Sequence, residues 1–340
     1  MTEPVTIIIP HYRAPVIIDC LESLYKYSNW PIKVFVIDDG NNGPSLQKAV
    51  LNFPQINVFS NEHNLGFTGS CNRGLAAAKS KYAVLLNDDT RVTQDWLKPL
   101  IECAEANPSI AACQPKLLSA MDPDYFDYGG GGGGYIDTLG YTFCRGRILD
   151  HREKDTGQYE TPRPLFWACG SALFIRVEAA REINFLDKEF YMHFEEIDFC
   201  WRLQTRGYRI WSVPISVVYH HSGYSLPPTS FQKTYLNHRN NLIMNCKNRP
   251  ALDLLWLLPI RIPLEFFASL GYLARKQWSS VMAPIASLFW CILKAYSIFQ
   301  RRKKAQSQAE FKAQDGIYSG SILYQYYLRG CRQVKSLMPE

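Results

Sequence analysis

What this chain does not contain excludes several architectures. Its ten cysteines form no C-x-x-C pair and follow no regular spacing, which argues against a zinc site or a disulfide framework. Scattered in this way, they read as small core residues of a reducing compartment. The formal net charge is only +6 and no nucleic-acid-binding module is recognisable, so no nucleic-acid partner is expected. Residues 1–10 lack a positive region followed by a long apolar run, so no secretory leader is expected. No G-x-x-x-x-G-K phosphate loop follows the first strand signal. The last quarter has no clean apolar run of the roughly 20 residues a membrane span needs. Residues 252–260 and 262–274 are interrupted by Pro259, Arg261, Pro263 and Glu265, and 281–299 carries Lys294.

What is present suits one large α/β domain with an appended segment: 340 residues, 47% hydrophobic and 20% charged. Aromatics reach 14%, compatible with a sugar-stacking cleft, a membrane-facing surface or an aromatic core. Apolar runs at 5–9, 33–37, 56–60, 82–86 and 110–114 alternate with helical spacings at 15–24, 46–53, 68–79 and 96–104. This alternation predicts a doubly wound, mainly parallel sheet flanked by helices. The six glycines at 129–134 predict a flexible loop near the cleft, or a disordered insertion. Residues 167–176 read as a strand, 187–207 as a loop entering a helix, and 208–218 as a strand pair broken at Pro214.

Beyond residue 248 the pattern becomes apolar and basic, with Arg261, Arg275, Lys276, Lys294 and 301–304 among the apolar stretches. The division expected is a catalytic domain at 1–248 and a helical segment at 249–340. Amphipathic helices lying on an anionic membrane surface are the preferred reading of that segment. Helices packed on the catalytic domain, or a span at 281–299, are the alternatives.

In such sheets ligands bind at the carboxyl ends of strands, and polar residues gather there in this sequence. Asn87-Asp88-Asp89 closes one strand, where acids can hold a hard divalent ion or merely cap a helix. Asp38-Asp39 closes another and can meet a base or a ribose, or form a turn. Residues 64–74 place glycines before a helix N-terminus, which favours close approach of an anion or ribose. Glu195, Glu196 and Asp198 crowd among Tyr191, His193, Phe199 and Trp201, where mutual repulsion and burial would suit a general base. His220-His221 follows an apolar strand and can supply a nitrogen ligand to a metal. Arg239 can partner a diphosphate or form a structural ion pair.

Taken in order, these segments resemble the inverting glycosyltransferases of family 2, within them the bacterial rhamnosyltransferase-like branch. The resemblance covers roughly residues 5–248, and Gly140-Tyr-Thr-Phe-Cys-Arg-Gly-Arg147 and Glu195-Glu-Ile-Asp-Phe-Cys-Trp-Arg202 are specific within it. It implies a GT-A fold, a dTDP- or UDP-linked sugar donor, Mg²⁺ or Mn²⁺, and a glycan or lipid-linked acceptor. It implies donor contacts from Pro10, Tyr12, Arg13, Asp39, Asn64, Gly66, Phe67, Asn72, Asn87, Asp88 and Arg239, with Asp39 on the base. Asp89 and His220 would hold the metal, with His221 the alternative if the register slips by one. Glu196 stands where the catalytic base is expected, in place of the commoner aspartate, with Asp198 as runner-up. Trp167, Gly170 and Glu195 would face donor and acceptor. The expected location is cytoplasmic, on the inner face of the cell membrane. The competing readings are a nucleotidyltransferase and a catalytically degenerate scaffold.

Overall fold

The computed structural model describes residues 3–40, 42–223, 230–307 and 314–338. The first half builds β1 (Val5–His11), α1 (Ile17–Tyr27), β2 (Ile32–Asp38), α2 (Pro44–Asn52), β3 (Asn57–Ser60), α3 (Gly66–Ala77), β4 (Tyr82–Leu86), β5 (Thr90–Val92), α4 (Leu97–Ala106) and β6 (Ile110–Ser119). β1 is buried at every position, as expected of a β-branched strand covered on both faces. α1 buries Ile17, Cys20, Leu21 and Leu24, the one-sided spacing of a helix packed on a sheet.

The middle supplies β7 (Gly134–Asp137), β8 (Thr142–Cys144), β9 (Arg147–Ile148), β10 (His151–Arg152), β11 (Pro164–Leu165), β12 (Ala172–Arg176), α5 (Val177–Glu182), α6 (Glu195–Gln204) and β13 (Arg209–His220). Nine strands of the described residues form the main sheet, in the order β11-β13-β6-β12-β4-β1-β2-β3, with β5 on β13. The predicted parallel run holds for β3, β2, β1 and β4. β12 then enters antiparallel between β4 and β6, making the sheet mixed. The strand pair expected around Pro214 is one strand, β13, whose register with β6 shifts between Val213 and Val217. The shift places the proline in a bulge, where its missing N–H removes no ladder bond.

The glycine run corrects an expectation. Gly130 to Gly134 are buried and hydrogen-bonded: Gly132 N donates to Arg145 O at 2.8 Å, and Gly134 N to Trp167 O at 3.0 Å. A Cβ on Gly134 would lie 1.9 Å from the Trp167 ring, and one on Gly130 2.3 Å from Cys169 Cβ. The absence of side chains therefore allows close packing at the start of the second sheet, β10-β9-β8-β7-β14, whose last strand is β14 (Ile317–Tyr318).

The remainder is α7 (Phe231–Asn248), α8 (Ala251–Ala274), α9 (Ala283–Leu293), α10 (Ala295–Gln306), β14 (Ile317–Tyr318) and α11 (Ile322–Tyr327). The stretches 252–260 and 262–274 are one continuous helix, α8, with Pro259 and Pro263 inside it. Residues 281–299 fall instead on α9 and α10, which with the turn before them bend by 74° at their junction. The chain beyond 248 does not stand apart. β14 pairs parallel with β7, and Ile322 N donates to Asp137 Oδ2 at 2.8 Å.

Gly134→Ala is expected to lower folding stability by about 1–3 kcal/mol in denaturant titration, because an overpacked methyl must displace Trp167. An unchanged midpoint would mean that the run is not packed.

Candidate active site

A cavity of about 960 Å³ opens beside the carboxyl ends of the central strands. Phe67, Asn87, Asp89, Trp167, Gly170, Glu195, Glu196 and His220 all line it. β4 delivers Asn87 and Asp89, β13 ends on His220, and α6 begins with Glu195.

His220 Nε2 lies 3.1 Å from Asp89 Oδ1, and both residues are 6% exposed. That oxygen has no aligned hydrogen bond. On the far side of the ring, Nδ1 is 3.2 Å from Asp127 Oδ2 and 3.0 Å from Ser222 Oγ. Asp127 is held in turn by Ser222 Oγ at 3.0 Å and Gly129 N at 2.6 Å. Burial opposes charge on His220, but Asp127 and Asp89 outweigh it and hold the imidazole well above its ordinary pKa. The pocket thus favours positive charge between two carboxylates. With Nδ1–H donated to Asp127, the Nε2 lone pair and the orphaned Asp89 oxygen form an N,O donor pair that fits a hard divalent ion. Among the described residues no cluster of three or more His, Cys, Asp or Glu side chains could hold a metal, so further ligands would be water, other oxygen donors or bound substrate. Asp127 was not legible beforehand, since nothing near it in sequence points to His220. His221 lies beside the pair, with its N–H on Asp89 O at 3.0 Å. Tyr224 and Ser225 of the H-x-x-G-x-S pattern lie outside the described residues.

Asp88 is absent from the cavity wall and bonds His11 Nδ1 at 2.6 Å. Pro10, Tyr12, Arg13, Asp39, Asn64 and Gly66 also lie off the wall, around the ends of β1, β2 and β3. Asp39 accepts from Leu65 N at 2.7 Å, Gly66 N at 2.9 Å and Asn61 Nδ2 at 2.8 Å, tying β2 to the start of α3. Arg13 donates to Gly40 O at 3.2 Å. Asn64 Oδ1 accepts from Tyr191 Oη at 2.7 Å. Gly66 has φ +71°, and a Cβ there would strike the Tyr191 ring. Asn72 corrects its expected role: it exchanges hydrogen bonds of 2.8 and 3.0 Å with the Leu186 backbone, anchoring α3.

Glu196 carries a buried carboxylate oxygen, Oε2, with no hydrogen-bond partner. Burial pushes its pKa up to about 7, against the N–H groups of Glu196, Ile197, Gly170 and Phe194. Burial and Glu196 raise Glu195 well above the usual range. Gly170 sits between the two sides, because a Cβ there would lie 3.2 Å from the Phe67 ring and 3.8 Å from Glu196 Cβ. Trp167 forms a fixed wall, its indole donating to Tyr135 O at 3.0 Å.

Asp198 is corrected as a candidate base. It is fully buried, and its oxygens accept from Arg202 Nε, Lys247 Nζ and Asn248 Nδ2, each at 2.8 Å. Arg239 is corrected likewise. Its guanidinium donates to Glu189 O at 2.8 Å and Phe190 O at 3.2 Å, and stacks over Trp290. Beside it, Asn240 Nδ2 donates to Phe190 O at 3.0 Å, Met192 O at 2.8 Å and His193 O at 2.6 Å. The segment they hold contains Tyr191, His193 and Phe194 at φ 61°, 70° and 69°, strained values for side chains of this size. Phe194 leads directly into Glu195 and Glu196, so α7 fixes the placement of both acids.

Asp198→Ala is expected to destabilise the fold by about 3–5 kcal/mol, because it leaves Lys247 and Arg202 buried without their shared acid. Glu196→Gln should leave the unfolding midpoint unchanged or raised. The reverse order would exchange the structural and chemical roles given to these two acids.

The family whose profile matches this chain is "Glycosyl transferase family 2", over residues 6–183. Among curated relatives, the N-acetylglucosaminyl-diphospho-decaprenol L-rhamnosyltransferase of Mycobacterium tuberculosis is 24% identical over 264 residues, 72% of this chain and 83% of that protein. The pre-mycofactocin glycosyltransferase of the same species is 26% identical over 56% of this chain and 37% of its own length. Among solved structures, GalNAc-T7 with UDP, GalNAc and Mn²⁺ superposes with a TM-score of 0.57 at 16% identity, covering 72% of this chain and 48% of that one. The mannosyltransferase PcManGT from Pyrobaculum calidifontis, with GDP-Man and Mn²⁺, gives 0.51 at 13% identity, covering 91% and 86%. These structures share the mixed α/β GT-A fold described above. The match spans more than half of the chain, and the chain belongs to glycosyl transferase family 2.

Proposed function

We propose that this glycosyltransferase moves rhamnose or a hexose from a dTDP- or UDP-linked donor to a hydroxyl of a glycan or lipid-linked acceptor, with inversion. The observation that carries this reading is one cavity holding Glu196, whose buried Oε2 has no hydrogen-bond partner, together with the Asp89–His220 donor pair. Glu196 accepts the proton of the acceptor hydroxyl as its oxygen bonds to the anomeric carbon. The bond from that carbon to the donor diphosphate breaks in the same step, and the nucleoside diphosphate leaves. Asp89 and His220 would hold a Mg²⁺ or Mn²⁺ ion, which when bound supplies positive charge beside the departing diphosphate. Asp39 and the loop at the start of α3 are the proposed seat of the nucleoside, and Trp167 and Gly170 shape the space between donor and acceptor.

A peripheral position on the membrane is supported by α8. Its buried residues are Leu257, Arg261, Glu265 and Ser269, mostly polar, and Leu255, Phe266, Phe267, Leu270 and Leu273 are exposed. A helix with its apolar face outward needs an apolar neighbour there. Basic charge contributes less than the sequence suggested, since Arg301 pairs with Asp187 and Glu189 and Arg302 donates to Cys246 O and Arg249 O. By length and composition α8 could cross a bilayer, with mean hydropathy 1.4. The buried Arg261–Glu265 pair at 2.9 Å favours lying on the surface. The ten unpaired cysteines suit the cytoplasmic side.

Titration with nucleoside diphosphates and nucleotide sugars is expected to show Mn²⁺-dependent binding of dTDP or UDP that Asp89→Ala abolishes; no binding under any condition sinks the proposal. Glu196→Gln should reduce transfer by about 10²–10⁴-fold with donor affinity retained. The base works deprotonated, so kcat/KM should fall as pH drops through about 7; a flat profile from pH 5 to 8 would remove Glu196 as base. Full-length protein should float with anionic liposomes, and serine at Leu255, Phe266 and Leu273 together should prevent it.

A further inference from the structure

The cavity does not end at Glu196. It continues to Leu264, Phe267 and Gly271 of α8 and to Leu323, Tyr324 and Tyr327 of α11. Its outer mouth merges with the exposed apolar face of α8, where Phe267 is 65% and Tyr327 56% exposed. Arg275 and Lys233 are among the cations that line the cavity. Arg275, just past α8, donates to Tyr327 Oη at 3.0 Å. Lys233 stands in the first turn of α7, where Thr234 Oγ1 lies 2.9 Å from Ser280 Oγ in the turn that follows α8. Lys233 is half-buried with no carboxylate among its perturbing neighbours, and burial pulls its pKa below the ordinary lysine value. A half-buried ammonium is completed by an anion, and an open apolar trough by an aliphatic chain.

We propose that the outer half of the cavity seats the lipid of the acceptor: a long aliphatic chain between α8 and α11, with its phosphate on Arg275 and Lys233. This rests on the glycosyl-transfer reading, and it adds where the acceptor's anchor lies. A chain entering from the α8 side would carry the sugar hydroxyl inward to Glu196 without leaving the membrane surface.

Gly271 provides the test. No atom lies within 4 Å of the position its Cβ would take, so Gly271→Leu adds bulk to the trough without a clash and favours the helix. Full-length protein saturated with UDP and Mn²⁺ would be titrated with farnesyl diphosphate, inorganic diphosphate and farnesol. Farnesyl diphosphate should bind at least about tenfold more tightly than either half-ligand. Gly271→Leu, and independently the exposed Phe267→Asp, should weaken farnesyl diphosphate about tenfold or more and leave inorganic diphosphate unchanged. Arg275→Gln with Lys233→Gln should weaken both diphosphates. Wild-type affinity for farnesyl diphosphate in both trough variants overturns the proposal. So does a concentration-dependent dimer that excludes the ligand, which would assign the trough to a second copy of the chain. Because nucleotide binding is scored separately through Asp89, failure here is distinguishable from failure of the transferase reading.

Discussion

The hydrogen bonds from Asn240 to three carbonyls of one segment, Phe190, Met192 and His193, carry the site. Tyr191, His193 and Phe194 would not hold their positive φ by themselves, since side chains of this size resist it. Asn240 and Arg239 take the carbonyls of Glu189, Phe190, Met192 and His193, and that holds the backbone against its own preference. The same segment meets the nucleotide side, because Thr68 N donates to Tyr191 O at 3.0 Å. The proposed base and the proposed donor loop are thus set by one short piece of chain, clamped from α7, a helix that also lines the cavity.

The sheet was legible because its strands are continuous β-branched runs and its helices have one-sided spacing. The strand-end acids were legible because polar residues after a buried strand stand out against it. What escaped was whatever depends on a partner distant in sequence. Asp198 and Glu196 are both acids at the start of one helix, and nothing local says that Lys247 will neutralise the first, with Asn248 hydrogen-bonded to it, and leave the second exposed to the cavity. Asp127 is equally silent, since its meaning comes from His220. The glycine run misled for a related reason: composition reports what side chains are missing, but not that Trp167 and Cys169 occupy the space they leave.

α8 shows how one helix can serve two environments. Arg261, Glu265 and His238 form a buried polar relay with Tyr272, while the opposite face is apolar. Read as a linear pattern, these charges and two prolines appear to interrupt an apolar segment. Read in three dimensions, the charges all point inward and the apolar surface is unbroken.

The pairing of β14 with β7 also constrains how the molecule is made. Thr138 Oγ1 donates to Tyr318 O across 180 residues of chain, so the second sheet lacks its last strand until residues 317–318 have left the ribosome. The strands around the Asp89–His220 pair are complete far earlier and can settle first. A nascent chain would therefore hold the acids of the site in place before the wall that encloses them closes, and the apolar α8 would emerge while that wall is still open.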